Sequence, residues 1–156
     1  MAKASRVIFS GFSRDLIRFL EALGHNNSKP WFEAHRAEYE ALYLEPARAF
    51  CEALAGPLSK VDRGVRCETR VNGSIMRIHR DTRFSKDKTP YRTGLYFIFP
   101  LGDGPMRASP AFHLHLGPEG VGIAGGLFGF DAKQLARYRA AVTGVKQGRA
   151  LRRALA

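Results

Sequence analysis

A chain of 156 residues with 45% hydrophobic and 11% aromatic side chains can bury a core without disulfide or metal staples and is too apolar for a disordered segment. Its net charge of +11 is unevenly placed: residues 1–62 carry eight basic and eight acidic side chains, residues 63–156 seventeen and six. That excess points to an anionic partner or to acidic sequence elsewhere in a longer protein.

Ser13 has the short hydroxyl that caps helix starts, and Asp15 follows in the first turn. Leu16, Ile17, Leu20 and Leu23 recur at helical spacing until Gly24, which predicts an amphipathic helix over 14–23. After His25-Asn26-Asn27, Ser28 and Pro30 open a second helix carrying Trp31, Phe32, His35, Tyr39, Leu42 and Tyr43. Pro46 restarts or kinks it, and Phe50, Leu54, Leu58 and Val61 extend the pattern, so residues 1–62 read as helical. The periodicity then changes to two. Ile75 to Arg80 and Leu95 to Phe99 alternate as strands do. Gly102-Asp103-Gly104-Pro105 turns the chain toward a third strand with Phe112, Leu114 and Leu116 on its apolar face. Gly117-Pro118-Glu119-Gly120 turns it again into a fourth, Val121 to Leu127. Asp131 caps a helix running to about Val142, and further helix ends at Ala156. A mainly antiparallel β meander flanked by N-terminal and C-terminal helices is an α+β fold, expected to form a single domain over 1–156.

Cys51 and Cys67 lack Cys-x-x-Cys or His spacing, so a disulfide framework or zinc site is not expected, and a reducing, cytoplasmic compartment is. No run reaches the roughly 18 apolar residues of a membrane span. Lys3 and Arg6 precede too short an apolar run for a signal peptide.

Between the first two strands lies Asp81-Thr82-Arg83-Phe84-Ser85-Lys86-Asp87-Lys88-Thr89-Pro90. Its length exceeds the about two to five residues usual in a hairpin link, and long ordered loops are often functional. From Arg77 to Arg92 six basic side chains face only Asp81 and Asp87. Like charges packed this way need water, outside carboxylates or a bound anion to screen them.

The residues Arg77, Arg80, Asp81, Arg83, Phe84, Lys86, Asp87, Lys88 and Tyr91 follow the order Arg-x-x-Arg-Asp-x-Arg-Phe-x-Lys-Asp-Lys-x-x-Tyr. In this the chain resembles a bacterial family, domain of unknown function 2461, as do Asn26-Asn27, Trp31-Phe32 and Gly125-Gly126. The resemblance runs from about Phe9 to Val142 and implies no particular activity. It also implies a C-terminal segment beyond this chain, and His113 stands where the family's aromatic is expected.

Three functions follow from the loop. In the first it is an anion-binding module for phosphate-bearing ligands. Arg77, Arg80, Arg83, Lys86 and Lys88 contact the anion, Asp81 and Asp87 orient them, and Tyr91 and Phe84 offer rings for stacking. The ligand is an anionic small molecule or nucleic acid; the latter would also engage Arg137, Arg139, Lys146, Arg149, Arg152 and Arg153. In the second the chain is an enzyme on an anionic substrate with Asp81 or His115 as acid/base. In the third the loop is a brace, with Asp81 and Asp87, helped by Glu33, Glu38, Glu40 or Glu45, holding the arginines. No cofactor and no membrane partner is expected.

His113 and His115 alternate opposite the apolar face of the third strand, where a metal would need His79 or Asp81 to join them. Gly122, Ala124 and Gly126 leave the neighbouring strand open, making His115 a pocket-lining candidate. Gly120-Val121-Gly122-Ile123-Ala124-Gly125 matches Gly-x-Gly-x-x-Gly in form, but it follows a turn and reads as strand, so no dinucleotide site is expected.

Overall fold

Ser13 caps α1 (Arg14–His25) by accepting a hydrogen bond from the Leu16 amide at 3.2 Å. The helix runs past Gly24 because Asn26 closes it, its backbone and side-chain N–H groups both donating to the Ala22 carbonyl at 3.0 and 2.9 Å. The chain is a computed structural model and describes residues 8–156; Lys3 and Arg6, on which the expectation of no signal peptide rests, lie outside them. The second and third predicted helices form one helical run: α2 (Lys29–Ala34), α3 (Arg36–Glu38), a π-helical segment (Tyr39–Leu44) and α4 (Glu45–Val61). In the widened segment the Glu45 amide reaches back five residues to the Glu40 carbonyl, next to Pro46, which has no amide hydrogen to donate. The helix is therefore re-registered there rather than broken.

The sheet is an antiparallel meander in the order β1 (Leu95–Pro100), β2 (Ala111–Gly117), β3 (Gly120–Gly126). Leu95, Phe97 and Phe99 pair with Leu116, Leu114 and Phe112, which lines one face of β1 and β2 with apolar side chains. That face meets Leu16, Leu20 and Leu23 of α1, Phe32, Tyr39, Tyr43 and Ala47 in one continuous core. Tyr96 and Ile98 pair with His115 and His113 on the opposite face. Gly120 to Gly126 is strand with a turn before it, so the glycine pattern there opens no helix.

The predicted strand at 75–80 is the one element that fails to form. Residues 74–80 lie along β1 and the segment before it by separate bonds: Ile98 N–H to Ser74 O, Met76 N–H to Tyr96 O and Arg92 N–H to Ile78 O, at 2.9, 2.9 and 2.8 Å. Between the last two the chain advances two residues on one side and four on the other, so no regular ladder can continue.

The described residues up to Gly126 form one compact unit and Leu127–Ala156 a second. In the second, α5 (Ala132–Thr143) starts at a capping box, Asp131 accepting from the Gln134 amide while Gln134 accepts from that of Asp131. α6 (Val145–Leu155) packs on α5 through Gly148, buried so close to the Val142 carbonyl that a side chain could not fit.

Candidate functional site

The basic loop is anchored at its base. Arg80 N–H donates to Pro90 O at 2.8 Å, and His79 bridges Tyr91. Asn27, in the link after α1, clamps the Tyr91 backbone from both sides: its amide donates to Tyr91 O at 2.9 Å, and its oxygen accepts from Tyr91 N–H at 3.0 Å. The Tyr91 ring is 3% exposed and stacks on Phe32 at 4.3 Å. Tyr91 is thus a core residue that holds the loop. It offers no open face for a ligand ring, because Phe32 and Asn27 from the helical layer enclose it.

Within the loop the charges pair locally. Asp81 accepts from Arg83 Nε and Nη2 at 2.9 and 2.7 Å, a bidentate fork, and from the Arg83 amide at 3.3 Å. Asp87 accepts from the Thr89 amide at 2.9 Å and from Arg80 Nη1, which also reaches the Thr89 hydroxyl and carbonyl. Lys88 Nζ donates to Thr82 O at 2.9 Å. The helical carboxylates are engaged elsewhere, Glu33 with Arg36 at 3.4 Å and Glu40 with Arg48 at 3.1 Å. Among the described residues no ion pair joins either of these two to a loop cation.

Exposure separates the two paired arginines. The Arg80 side chain is 25% exposed and that of Arg83 76%. Arg80 therefore ties loop atoms together, whereas Arg83 holds Asp81 with one edge and presents the other to water. Arg77, Lys86 and Lys88 are also exposed, and among the described residues no ion pair joins a carboxylate to any of them. Phe84, 94% exposed at the loop tip, has the Arg83 guanidinium 5.7 Å from its ring centre.

The Arg83 side chain and amide hold the Asp81 carboxyl well below its usual range, and Asp81 in turn raises Arg83. The Thr89 amide, then Arg80 and the Thr89 hydroxyl, lower Asp87 to about 2. Carboxylates so stabilised stay ionised and are weak bases near neutral pH, which counts against proton abstraction by Asp81.

His113 and His115 do lie on the sheet face away from the core. Arg92, at the loop's end, places its guanidinium 5.5 Å from the Tyr96 ring centre, and Tyr96 stacks on His115 at 5.8 Å. The His115 ring lies against Gly122, where a side chain would collide with it. Gly122 thus receives a histidine instead of leaving an open floor, whereas a Cβ at Gly126 would meet nothing. Among the described residues no three His, Cys, Asp or Glu side chains gather as metal ligands.

Sequence reading missed Asn27 and Thr89 as loop-holding residues and Tyr96 as the partner of His115. The Tyr96–His115 pairing was legible in principle, since aligning the two alternating apolar faces sets their register.

A family model described as "Conserved hypothetical protein (DUF2461)" matches residues 15–156. No curated protein and no solved structure matches the chain.

Proposed function

The chain belongs to the DUF2461 family of conserved hypothetical proteins, and we propose that its Arg77 to Arg92 loop is an anion-binding module for phosphate-bearing ligands. The observation that carries this reading is where the loop's carboxylates go. Asp81 and Asp87 each pair with one loop arginine, so the exposed Arg77, Lys86 and Lys88 keep their charge uncompensated by ion pairing among the described residues. Neutralising that surplus on an exposed surface is what a phosphate group does well. The Arg80–Asp87–Thr89 cluster keeps the loop ordered before the ligand arrives, which lowers the entropic cost of binding. Exposed Phe84 beside Arg83 adds a flat apolar surface for a ring attached to the phosphate.

Calorimetric titration with inorganic tripolyphosphate at low salt tests the proposal. Binding should be present in the wild type and weakened about tenfold or more by Lys86→Ala combined with Lys88→Ala, since each charge-assisted contact contributes about 1.5–3 kcal/mol. Arg83→Ala should weaken it with little change in melting temperature. Arg80→Ala should instead lower the melting temperature, by roughly 2–4 °C if it costs about 1 kcal/mol. No heat of binding at low salt, with equal losses of stability in both arginine variants, would leave the loop as a brace only.

A further inference from the structure

Away from the basic loop, two thiols meet across a fold boundary. Cys51 is buried in α4 and Cys67 is half-buried in the segment leading to the sheet; both are free thiols. The Cys67 thiol donates to the Cys51 carbonyl oxygen at 3.1 Å, which sets the two cysteines side by side. The surrounding chain is well tied down. Next to Cys67, Arg66 N–H donates to Pro100 O at 2.9 Å, and Val65 bridges Leu101, so the Cys67 backbone is docked against the end of β1.

We propose that Cys51 and Cys67 form a site of reversible oxidation, with Cys67 reacting first with a hydroperoxide and Cys51 resolving it to an intramolecular disulfide. In the first step the Cys67 thiolate attacks the near oxygen of the peroxide. The S–O bond forms, the O–O bond breaks, and after protonation the products are Cys67 sulfenic acid and water (or an alcohol, for an organic peroxide). In the second, Cys51 sulfur displaces hydroxide from the sulfenic sulfur; with the proton Cys51 gives up, it leaves as water. Two thiols and one hydroperoxide thus yield one disulfide, the peroxide being reduced by two electrons. A small dithiol reverses the change by exchange.

The environment orders the two roles. Cys67 is the more accessible sulfur, so peroxide meets it first. Cys51, buried in α4, stays sheltered until a sulfenic acid forms beside it. The contact of Cys67 Sγ with the Cys51 backbone makes the two side chains neighbours, so that a disulfide of about 2.05 Å joins α4 to the docked segment.

The test treats the reduced chain with hydrogen peroxide and reads intact mass, non-reducing peptide maps and sulfenic-acid trapping by dimedone. The expected product is a monomer that has lost a pair of hydrogens, with Cys51 and Cys67 peptides joined and restored by dithiothreitol. In Cys51→Ala the disulfide should vanish and dimedone should label Cys67. In Cys67→Ala, Cys51 should react at least tenfold more slowly than Cys67 does in the wild type. Oxidised wild-type chain should also melt higher than reduced chain, because α4 is then tied to the segment before the sheet. The proposal is overturned if peroxide leaves both thiols reduced, gives only cross-linked dimers, or labels Cys51 first. It is equally overturned if wild type and Cys51→Ala, both showing a cooperative melt, yield the same products.

Discussion

Asp87 binds its proton only in strong acid because its carboxylate is held by the Thr89 amide, Arg80 and the Thr89 hydroxyl. Its pKa falls from 3.8 to about 2 on folding, so the ordering it gives the loop is complete above pH 4. That ordering is lost as pH falls through about 2, and Asp81 shifts the same way. The protection factor of the Thr89 amide, its exchange rate relative to an unstructured peptide at the same pH, should therefore be unchanged from pH 8 to pH 5 and fall below pH 4; a fall near pH 6 would assign the loop's order to a histidine instead. Asn27 acts at the same scale but in a half-buried place, where both of its hydrogen bonds to Tyr91 are sheltered from water. Asn27→Ala leaves two backbone groups unpaired and should cost about 1–3 kcal/mol in urea unfolding. Asn27→Asp keeps the acceptor and should cost less near pH 4, where the acid is partly neutral, than at pH 8. An Asn27→Ala variant as stable as wild type would show that other residues fix the loop base.

The elements show where local pattern is enough and where it is overruled. α1 and α5 begin at Ser13 and Asp131, whose caps depend only on atoms three residues away. Residues 75–80 alternate like a strand yet make separate bridges, because Thr93 and Gly94 add length to the partner side and shift the register. β3 registers Val121 and Ile123 with Leu116 and Leu114, but both are exposed, so matching the core face in register does not bring burial. On the other face, Gly122 exists as a seat for His115. Gly122→Ala should push that ring off Tyr96 and destabilise the sheet by about 1 kcal/mol. The same change in a His115→Ala background should be close to neutral, and equal costs in both backgrounds would deny the contact.

Charge belongs to the whole molecule. The second unit alone has Lys133, Arg137, Arg139, Lys146, Arg149, Arg152 and Arg153 against Asp131. A nucleic acid would recruit these cations, and log affinity would fall by about 0.7–0.9 per phosphate contacted for each tenfold rise in salt. A small anion held by the loop should show a shallower slope, unmoved by replacing Arg149, Arg152 and Arg153 with alanine. We expect the shallow slope, since the exposed cations of the loop are few and Arg80 and Arg83 are already paired with Asp87 and Asp81. A steep slope that flattens in the triple variant would make nucleic acid the partner.

The α+β fold, the helix starts, the β2–β3 turn, the place of the charge excess and the family were all legible in the chain. Each depends on spacing, capping or composition within a few neighbouring residues. Tertiary structure decided which aspartate holds which arginine, and that Tyr91, flanked by cations in sequence, is buried on Phe32 and clamped by Asn27 from 64 positions away. It also brought Cys51 to Cys67 and His115 onto Gly122. Such pairings join residues whose local patterns are equally compatible with several partners, and only the packing of one helical layer against one sheet selects among them.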